Sequence, residues 1–308
     1  MGIEQRLAQI RDSRNISKTT LEMQVALLTV GPIISLLTNK LNAITPKEFA
    51  PGFTEEYVRA IKDGCFPVFV ANHQSQFDLP LLARVSRVLI NTANRVLPEE
   101  KRISGTLVPM AQSVENGAQG IDTQIIYAAN NRQLERNKVV TIPTATVNDT
   151  GGRGELPNPR EFTTTMRDGI KKGYGSIGVF PEGTKEGGRI GENGQRKGMQ
   201  EFAQNSLRIC ISLARSNGQP VVFIPVGISE SWRVLDPQTR LPRSNTLMAG
   251  FGIGHPKLPH VRIGMPVRTD KDDLSRFIIQ KNWSGLDAYI GGKIAELLPF
   301  RERGKYRI

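Results

Sequence analysis

An α/β fold, with a mostly parallel central sheet flanked by helices and an N-terminal helical appendage, is predicted by three observations on this 308-residue chain. From about residue 66 onward, short β-branched or apolar runs alternate with helical patterns, the signature of parallel βα units. The helical patterns carry single apolar stripes at three- and four-residue steps, as core-facing helices do. Composition agrees: 38% hydrophobic and 23% charged residues, with 30 Gly and 19 Pro, describe a globular α/β protein and no fibrous, collagen-like or disordered class. A chain of this length buries a sizeable core without disulfide or metal staples.

Taken in order, residues 1–60 read as helical and separate from the sheet. The longest apolar run, residues 25–38, is shorter than the roughly 20 residues a membrane span requires, and Gly31-Pro32 interrupts it. It reads as a core helix pair or as a hairpin dipping into one leaflet, so residues 1–60 form a candidate membrane-docking segment before an α/β domain at 61–308. Strands are predicted at 66–71, 106–111, 138–142, 176–180, 221–226 and 261–263. A helix starts with Leu81, Leu82 and Val85. A second carries the stripe Met199, Phe202, Ala203, Leu207, Cys210, Ile211 and Ala214, and a third the stripe Trp283, Leu286, Ile290, Ile294 and Leu297. Residues 143–160, rich in Thr, Asn, Gly and Pro, read as a long exposed loop.

The two cysteines, Cys65 and Cys210, sit in apolar runs and read as buried small hydrophobes, which fits a reducing compartment. With so few Cys and only three His, no zinc framework can be assembled, and no metal is expected. The first twenty residues hold no signal-peptide h-region, and Arg6 stands where myristoylation needs Ser or Thr. Charge is the extreme feature. The formal net charge is +12, of which residues 1–150 contribute only +2. An excess held in one half points to an anionic partner: nucleic acid, an anionic membrane surface or a phosphorylated substrate.

Chemistry is concentrated at two strand ends. The first strand runs into Asn72-His73-Gln74-Ser75-Gln76-Phe77-Asp78, placing a His and an Asp where α/β sheets put ligands. The intervening turn lets the Asp78 carboxylate return to His73 and accept its Nδ1 proton, leaving Nε2 as a general base. Alternatives are a helix N-cap for Asp78 and an ordinary loop histidine for His73. The strand at 176–180 ends in Phe180-Pro181-Glu182-Gly183-Thr184, a string whose chance expectation is of order ~1 in 10,000 for such a chain.

These residues resemble a known family. Asn72 to Asp78 is similar to the NHxxxxD motif of the glycerolipid acyltransferases, and Phe180 to Thr184 is similar to the FPEGT motif of their 1-acylglycerol-3-phosphate branch. Arg196-Lys197-Gly198, Val222-Phe223-Ile224-Pro225-Val226 and Ile263-Gly264-Met265-Pro266-Val267 resemble later segments in the same order, so the likeness covers residues 66–268. It implies an O-acyltransferase in which His73 is the general base and Asp78 orients it. Asn72, Ser75, Phe180, Pro181, Glu182, Gly183, Thr184 and Lys197 would line the substrate site. The Asn72 amide and the turn N–H groups near Gly183 would be the oxyanion donors. No bound cofactor is implied; acyl-CoA or acyl carrier protein would be the co-substrate, and a lysophospholipid or glycerol phosphate the acceptor, on a cytoplasmic, peripheral or monotopic membrane protein. The family's intermediate Arg motif is not readable here, and Arg132 and Arg136 are the nearest substitutes for a phosphate clamp.

Three other readings stand beside this one. The first acylation, on glycerol 3-phosphate itself, fits the long separation of the two motifs. A serine hydrolase using Ser75 lacks a Gly-x-Ser-x-Gly elbow. A nucleic-acid-binding protein would explain the charge, but only 6% of residues are aromatic and no base-reading motif is visible, so no nucleic-acid partner is expected.

Overall fold

The computed structural model describes residues 49–75, 77–111, 134–144, 159–183, 188–192, 194–203, 206–234 and 259–306. The apolar run 25–38, Arg132, Thr184 and most of the 143–160 loop lie outside the described residues.

Seven strands form one sheet in the order β3-β2-β4-β1-β5-β6, with β7 also on β5. They are β1 (Phe66–Ala71), β2 (Thr106–Ala111), β3 (Val139–Thr144), β4 (Ser176–Val179), β5 (Val221–Ser229), β6 (His260–Ile263) and β7 (Val267–Arg268). The first five are parallel to one another, and β6 and β7 run antiparallel to β5. The mostly parallel sheet predicted from sequence is therefore present.

Helices cover both faces, because alternate residues of each buried strand point to opposite sides. Phe69 and Ala71 pack with α1 (Phe53–Lys62) and α2 (Asp78–Asn94). Phe66, Val68 and Val70 pack on the other face with α3 (Pro159–Lys171), α4 (Ser206–Arg215), α5 (Asp272–Ile279) and α6 (Trp283–Glu296). β1 lies between β4 and β5 and is buried along its whole length. The fully buried rings of Phe53, Phe66 and Phe69 each contribute about 1.5–3 kcal/mol by leaving water.

Several details differ from the sequence reading. Residues 49–60 belong to the α/β unit: the Ala50 N–H donates to the Ile263 carbonyl at 2.9 Å, and Phe53, Tyr57, Ala60 and Ile61 of α1 are buried in the core. The stripe starting at Met199 is helical only from Ser206. Met199 and Phe202 are buried as expected, but the N–H groups of Met199, Gln200 and Ala203 are taken by Glu302, Glu182 and Pro181, so no helical turn forms there. At the edges of the predicted 143–160 loop, residues 143–144 belong to β3 and residues 159–160 to α3. Pro225 sits inside β5 without disrupting it. Its carbonyl accepts from Gly264 at the point where the neighbour changes from β6 to β7, so the missing N–H falls in the gap between two partners.

Among the described residues, no helix is long and apolar enough to cross a membrane. Cys65 and Cys210 are buried free thiols, pushed up by burial to about 11 and about 12. Both are inert packing groups, as read from the sequence.

Candidate active site

Parallel pairing brings the two sequence motifs together. In the β1–β4 ladder Val68 faces Ile177, Phe69 faces Gly178 and Val70 faces Val179. Continued past the strand ends, the same register sets His73 beside Glu182, and there the His73 N–H donates to Glu182 Oε1 at 2.7 Å. The chain leaving β1 enters α2 on one face, and the chain leaving β4 reaches α4 on the other. The two connections diverge at the carboxyl ends of adjacent strands, where parallel sheets open a crevice.

His73 and Asp78 are directly paired. The distance from His73 Nδ1 to Asp78 Oδ2 is 2.9 Å, with the His side chain 14% exposed and the Asp side chain fully buried. The same Oδ2 accepts the N–H groups of Gln74 at 2.5 Å and Ser75 at 2.8 Å. The turn is thus wound around one carboxylate oxygen at the start of α2, where the helix dipole also favours negative charge. The carboxylate faces back into the turn instead of capping helix N–H groups, which removes the N-cap alternative. With Nδ1–H given to Asp78, Nε2 is the basic nitrogen of the ring. Phe180 stacks on the imidazole, ring centroids 4.5 Å apart and 27° between planes, and fixes its plane from the FPEGT side.

Other residues of the two motifs build the frame. Asn72 is fully buried: Nδ2 donates to the Ile228 carbonyl at 2.8 Å and Oδ1 accepts the Ile228 N–H at 2.7 Å. Both of its polar atoms tie the end of β1 to β5, so it anchors the turn and is not presented as an oxyanion donor. The Gly183 N–H donates to the Phe180 carbonyl at 3.1 Å, with Gly183 at φ +66°, so it closes its own turn and is likewise not presented to substrate. Pro181 offers its carbonyl to the Ala203 N–H at 2.7 Å. Ser75 is buried, and its Oγ accepts the Phe77 N–H at 3.1 Å, which makes it a turn-former and a poor nucleophile.

Glu182 bridges two segments, accepting from His73 through Oε1 and from the Gln200 N–H through Oε2 at 2.6 Å. Burial pushes its carboxyl up to about 8, aided by the nearby Asp78 charge and opposed by the two N–H donors. It is a buried strut behind His73, where the family resemblance had implied an acceptor-lining residue. A glutamine at this position presents an NH2 to one of the two N–H donors. Glu182→Gln should therefore cost about 1–3 kcal/mol in denaturant-derived stability. The pH signature has a definite sign. The folded protein holds this proton to about pH 8 while the unfolded chain releases it in the ordinary carboxylate range, so the stabilisation is full at acid pH and lost as pH rises through 8. Melting temperatures followed across that window should show this decline in the parent and a flatter profile in Glu182→Gln.

Of the two arginines offered as a phosphate clamp, only Arg136 is among the described residues, and it is not at the site. Arg136 is exposed and precedes β3, at the amino ends of the parallel strands and on the far edge of the sheet. A strand of this length spans about 20 Å, beyond the reach of an arginine side chain. Arg132 lies outside the described residues, as does Thr184. A different basic segment, residues 188–197, approaches the His73 turn through Gly188. There Ile190 bridges Arg196, and the Lys197 N–H donates to Arg189 at 3.0 Å, which puts exposed Lys197 on a small hairpin. The hairpin starts at Gly188, where an added Cβ would lie 2.1 Å from the Gln74 carbonyl, so only glycine permits this approach to the His73 turn. Arg196 hydrogen-bonds the Gly188 carbonyl and lies 3.3 Å over the Trp232 ring, with Arg233 4.8 Å from the same ring. Arg233 and Arg301 share Glu230 Oε1.

A separate cleft of about 360 Å³ lies between α3 and α4, lined by Thr163, Arg167, Arg208, Ile209, Ser212 and Leu213, and no residue of the His73 turn lines it. Among the described residues, no group of His, Cys, Asp and Glu side chains is arranged to hold a metal ion. Sequence reading missed Gln74, Gly188, Gln200, Trp232 and Glu302 as parts of the site. Gln74 was inside the motif but carries no chemistry of its own, and the others gain meaning only from tertiary contacts. No protein-family model matches the chain, and no curated protein matches it.

Proposed function

We propose that the protein is an O-acyltransferase that moves an acyl group from an acyl thioester to a hydroxyl of a glycerol-phosphate or lysophospholipid acceptor. The observation that carries this reading is the buried Asp78 carboxylate holding His73 Nδ1 at 2.9 Å, at the carboxyl end of the central strand and beside the Phe180–Glu182 turn. Such a dyad suits removal of a hydroxyl proton: Nε2 takes it as the acceptor oxygen attacks the thioester carbonyl, and Asp78 stabilises the imidazolium. As the tetrahedral intermediate collapses, the C–S bond breaks and the imidazolium returns its proton to the leaving thiolate. No acyl-enzyme forms, in keeping with a Ser75 hydroxyl engaged in its own turn.

The basic hairpin carrying Arg189, Arg196 and Lys197, which approaches the His73 turn at Gly188, supports anionic co-substrates, namely acyl-CoA or acyl carrier protein as donor and a phosphorylated acceptor. The resemblance of residues 72–78 and 180–184 to the two acyltransferase motifs supports the 1-acylglycerol-3-phosphate acceptor, with glycerol 3-phosphate as the second choice on the length between them. A peripheral or monotopic site on the cytoplasmic face of an anionic membrane is part of the same proposal. The test is to incubate the purified protein with labelled acyl-CoA or acyl carrier protein against glycerol 3-phosphate, lysophosphatidate and other lysolipids. Acylated product with one of these acceptors is the expected result. Thioester hydrolysis without transfer, or no turnover with any pair, would overturn the reading.

A further inference from the structure

We infer that Glu302, on the segment that follows α6, is a positioning residue for His73, acting through two separate routes that meet on the catalytic turn; the inference rests on His73 being the general base. Glu302 is 2% exposed, although the side chain of its neighbour Arg301 is 64% exposed. Burying a carboxylate is costly unless it is hydrogen-bonded, so its placement calls for partners. Glu302 Oε2 accepts from Gln74 Nε2 at 2.9 Å and from the Glu230 N–H at 3.3 Å. Gln74 is the residue between His73 and Ser75, and its own N–H holds Asp78 Oδ2. Glu302 therefore grips the residue that grips the orienting carboxylate.

The second route runs through the backbone. The Glu302 carbonyl accepts the Met199 N–H at 2.9 Å, and the Lys305 N–H donates to the Met199 carbonyl at 2.9 Å. The next residue, Gln200, donates to Glu182, which in turn accepts the His73 N–H. Following the contacts from His73 to Glu182, Gln200, Met199, Glu302, Gln74 and back to His73 describes a closed ring.

The seam where this ring passes between chain segments admits only glycine. Gly198 and Gly304 have φ of +70° and +55°. An added Cβ on Gly304 would lie 2.0 Å from the Met199 carbonyl, and one on Gly198 would lie 2.7 Å from the Gly304 nitrogen. Two glycines in left-handed conformations at one crossing are what a close backbone approach requires. Tyr306 continues the contact, tilted against Phe202 and pressed on Gly291 of α6. The residues after α6 thus lie against the site and do not trail from the last helix. Catalytic groups must be held to within about 0.5 Å, and a displacement of about 1 Å costs on the order of 10²-fold in rate, which sets the effect expected from opening the ring.

The test uses the full chain carrying Glu302→Ala, Glu302→Gln and Gln74→Leu. Glutamine keeps an oxygen that can accept from Gln74 and Glu230, so Glu302→Gln should stay within a few-fold of the parent. Glu302→Ala and Gln74→Leu should lower kcat by about 10- to 100-fold with KM little changed. In ¹⁵N-histidine-labelled protein, the His73 Nδ1–H signal, identified by its loss in His73→Ala, should be protected from solvent exchange in the parent and in Glu302→Gln. It should exchange rapidly in the other two variants, all measured well below their melting temperatures. A parental kcat and an unchanged Nδ1–H signal in Glu302→Ala or Gln74→Leu would overturn the inference. So would a kcat loss with the Nδ1–H signal intact, because that describes general destabilisation. If the parent transfers no acyl group but the Nδ1–H signal still responds to Glu302→Ala, the acyltransferase reading has failed and the positioning role has not.

Discussion

His73→Ala should reduce acyl transfer by about 10²–10⁴-fold, the contribution of a positioned general base, while leaving the fold intact. The two halves of this expectation have separate grounds. In the proposed mechanism, activity depends on a ring that carries the basic nitrogen and is held by Asp78 at 2.9 Å and by Phe180 across 4.5 Å. Stability depends little on that ring, because the turn is closed by groups alanine retains: the residue-73 N–H to Glu182, and the Gln74 and Ser75 N–H groups to Asp78. Product formation under saturating acyl donor, with melting temperature measured on the same preparation, decides it. Transfer at the parental rate in a folded His73→Ala protein would eliminate the base and with it the proposed mechanism.

Substitution of Asp78 should strike both activity and stability, and the two variants should separate the effects. Asp78→Ala removes the acceptor for three donors at once, leaving the Gln74 and Ser75 N–H groups buried with nothing to bond. Each such group costs about 1–3 kcal/mol, so a loss of several kcal/mol in urea unfolding is expected, enough to threaten a marginal fold. Asp78→Asn restores an oxygen to the donors but puts an amide NH2 where Oδ1 is buried without a hydrogen-bond partner, so its stability should fall between parent and alanine. Its activity should not recover in proportion. The neutral amide no longer stabilises the imidazolium formed during transfer, and a fall of about 10²–10⁴-fold in kcat is expected while the protein remains folded. An Asp78→Asn protein with parental kcat would mean that the carboxylate serves the turn alone.

Sequence reading went furthest where function rests on strand ends. The runs at 66–71 and 176–180 are continuous apolar strings followed at once by turn residues, so both the strands and the groups they deliver could be read, and His73 and Asp78 lie as expected. What could not be read was the partner of each strand. A parallel ladder joins segments far apart in the chain, and nothing local in Ser176-Ile177-Gly178-Val179 names Val68 as its neighbour. The same limit misplaced Arg136, which lies between the two motifs in sequence yet belongs to the amino end of an edge strand. Periodicity misled at Met199 and Phe202, where two buried residues three apart imitate a helix although their backbone donors are spent on tertiary partners. Glu302 left no trace, because Arg301-Glu302-Arg303 has the look of a solvated charge run and its burial follows only from where Gln74 comes to lie.

The ladder between β1 and β4 has a consequence for how such a chain can change. His73 and Glu182 meet because two strands are aligned, so their separation along the chain is irrelevant to their separation in space. Residues gained or lost between β2 and β3, or between β3 and α3, leave that alignment untouched. A single residue inserted inside β4 would instead turn every following side chain to the opposite face and withdraw the Glu182 strut from His73. Variation in length within those two connections thus leaves the pairing intact, whereas within the four residues of β4 it does not. The sheet works here as a ruler, and the chemistry is written at its end.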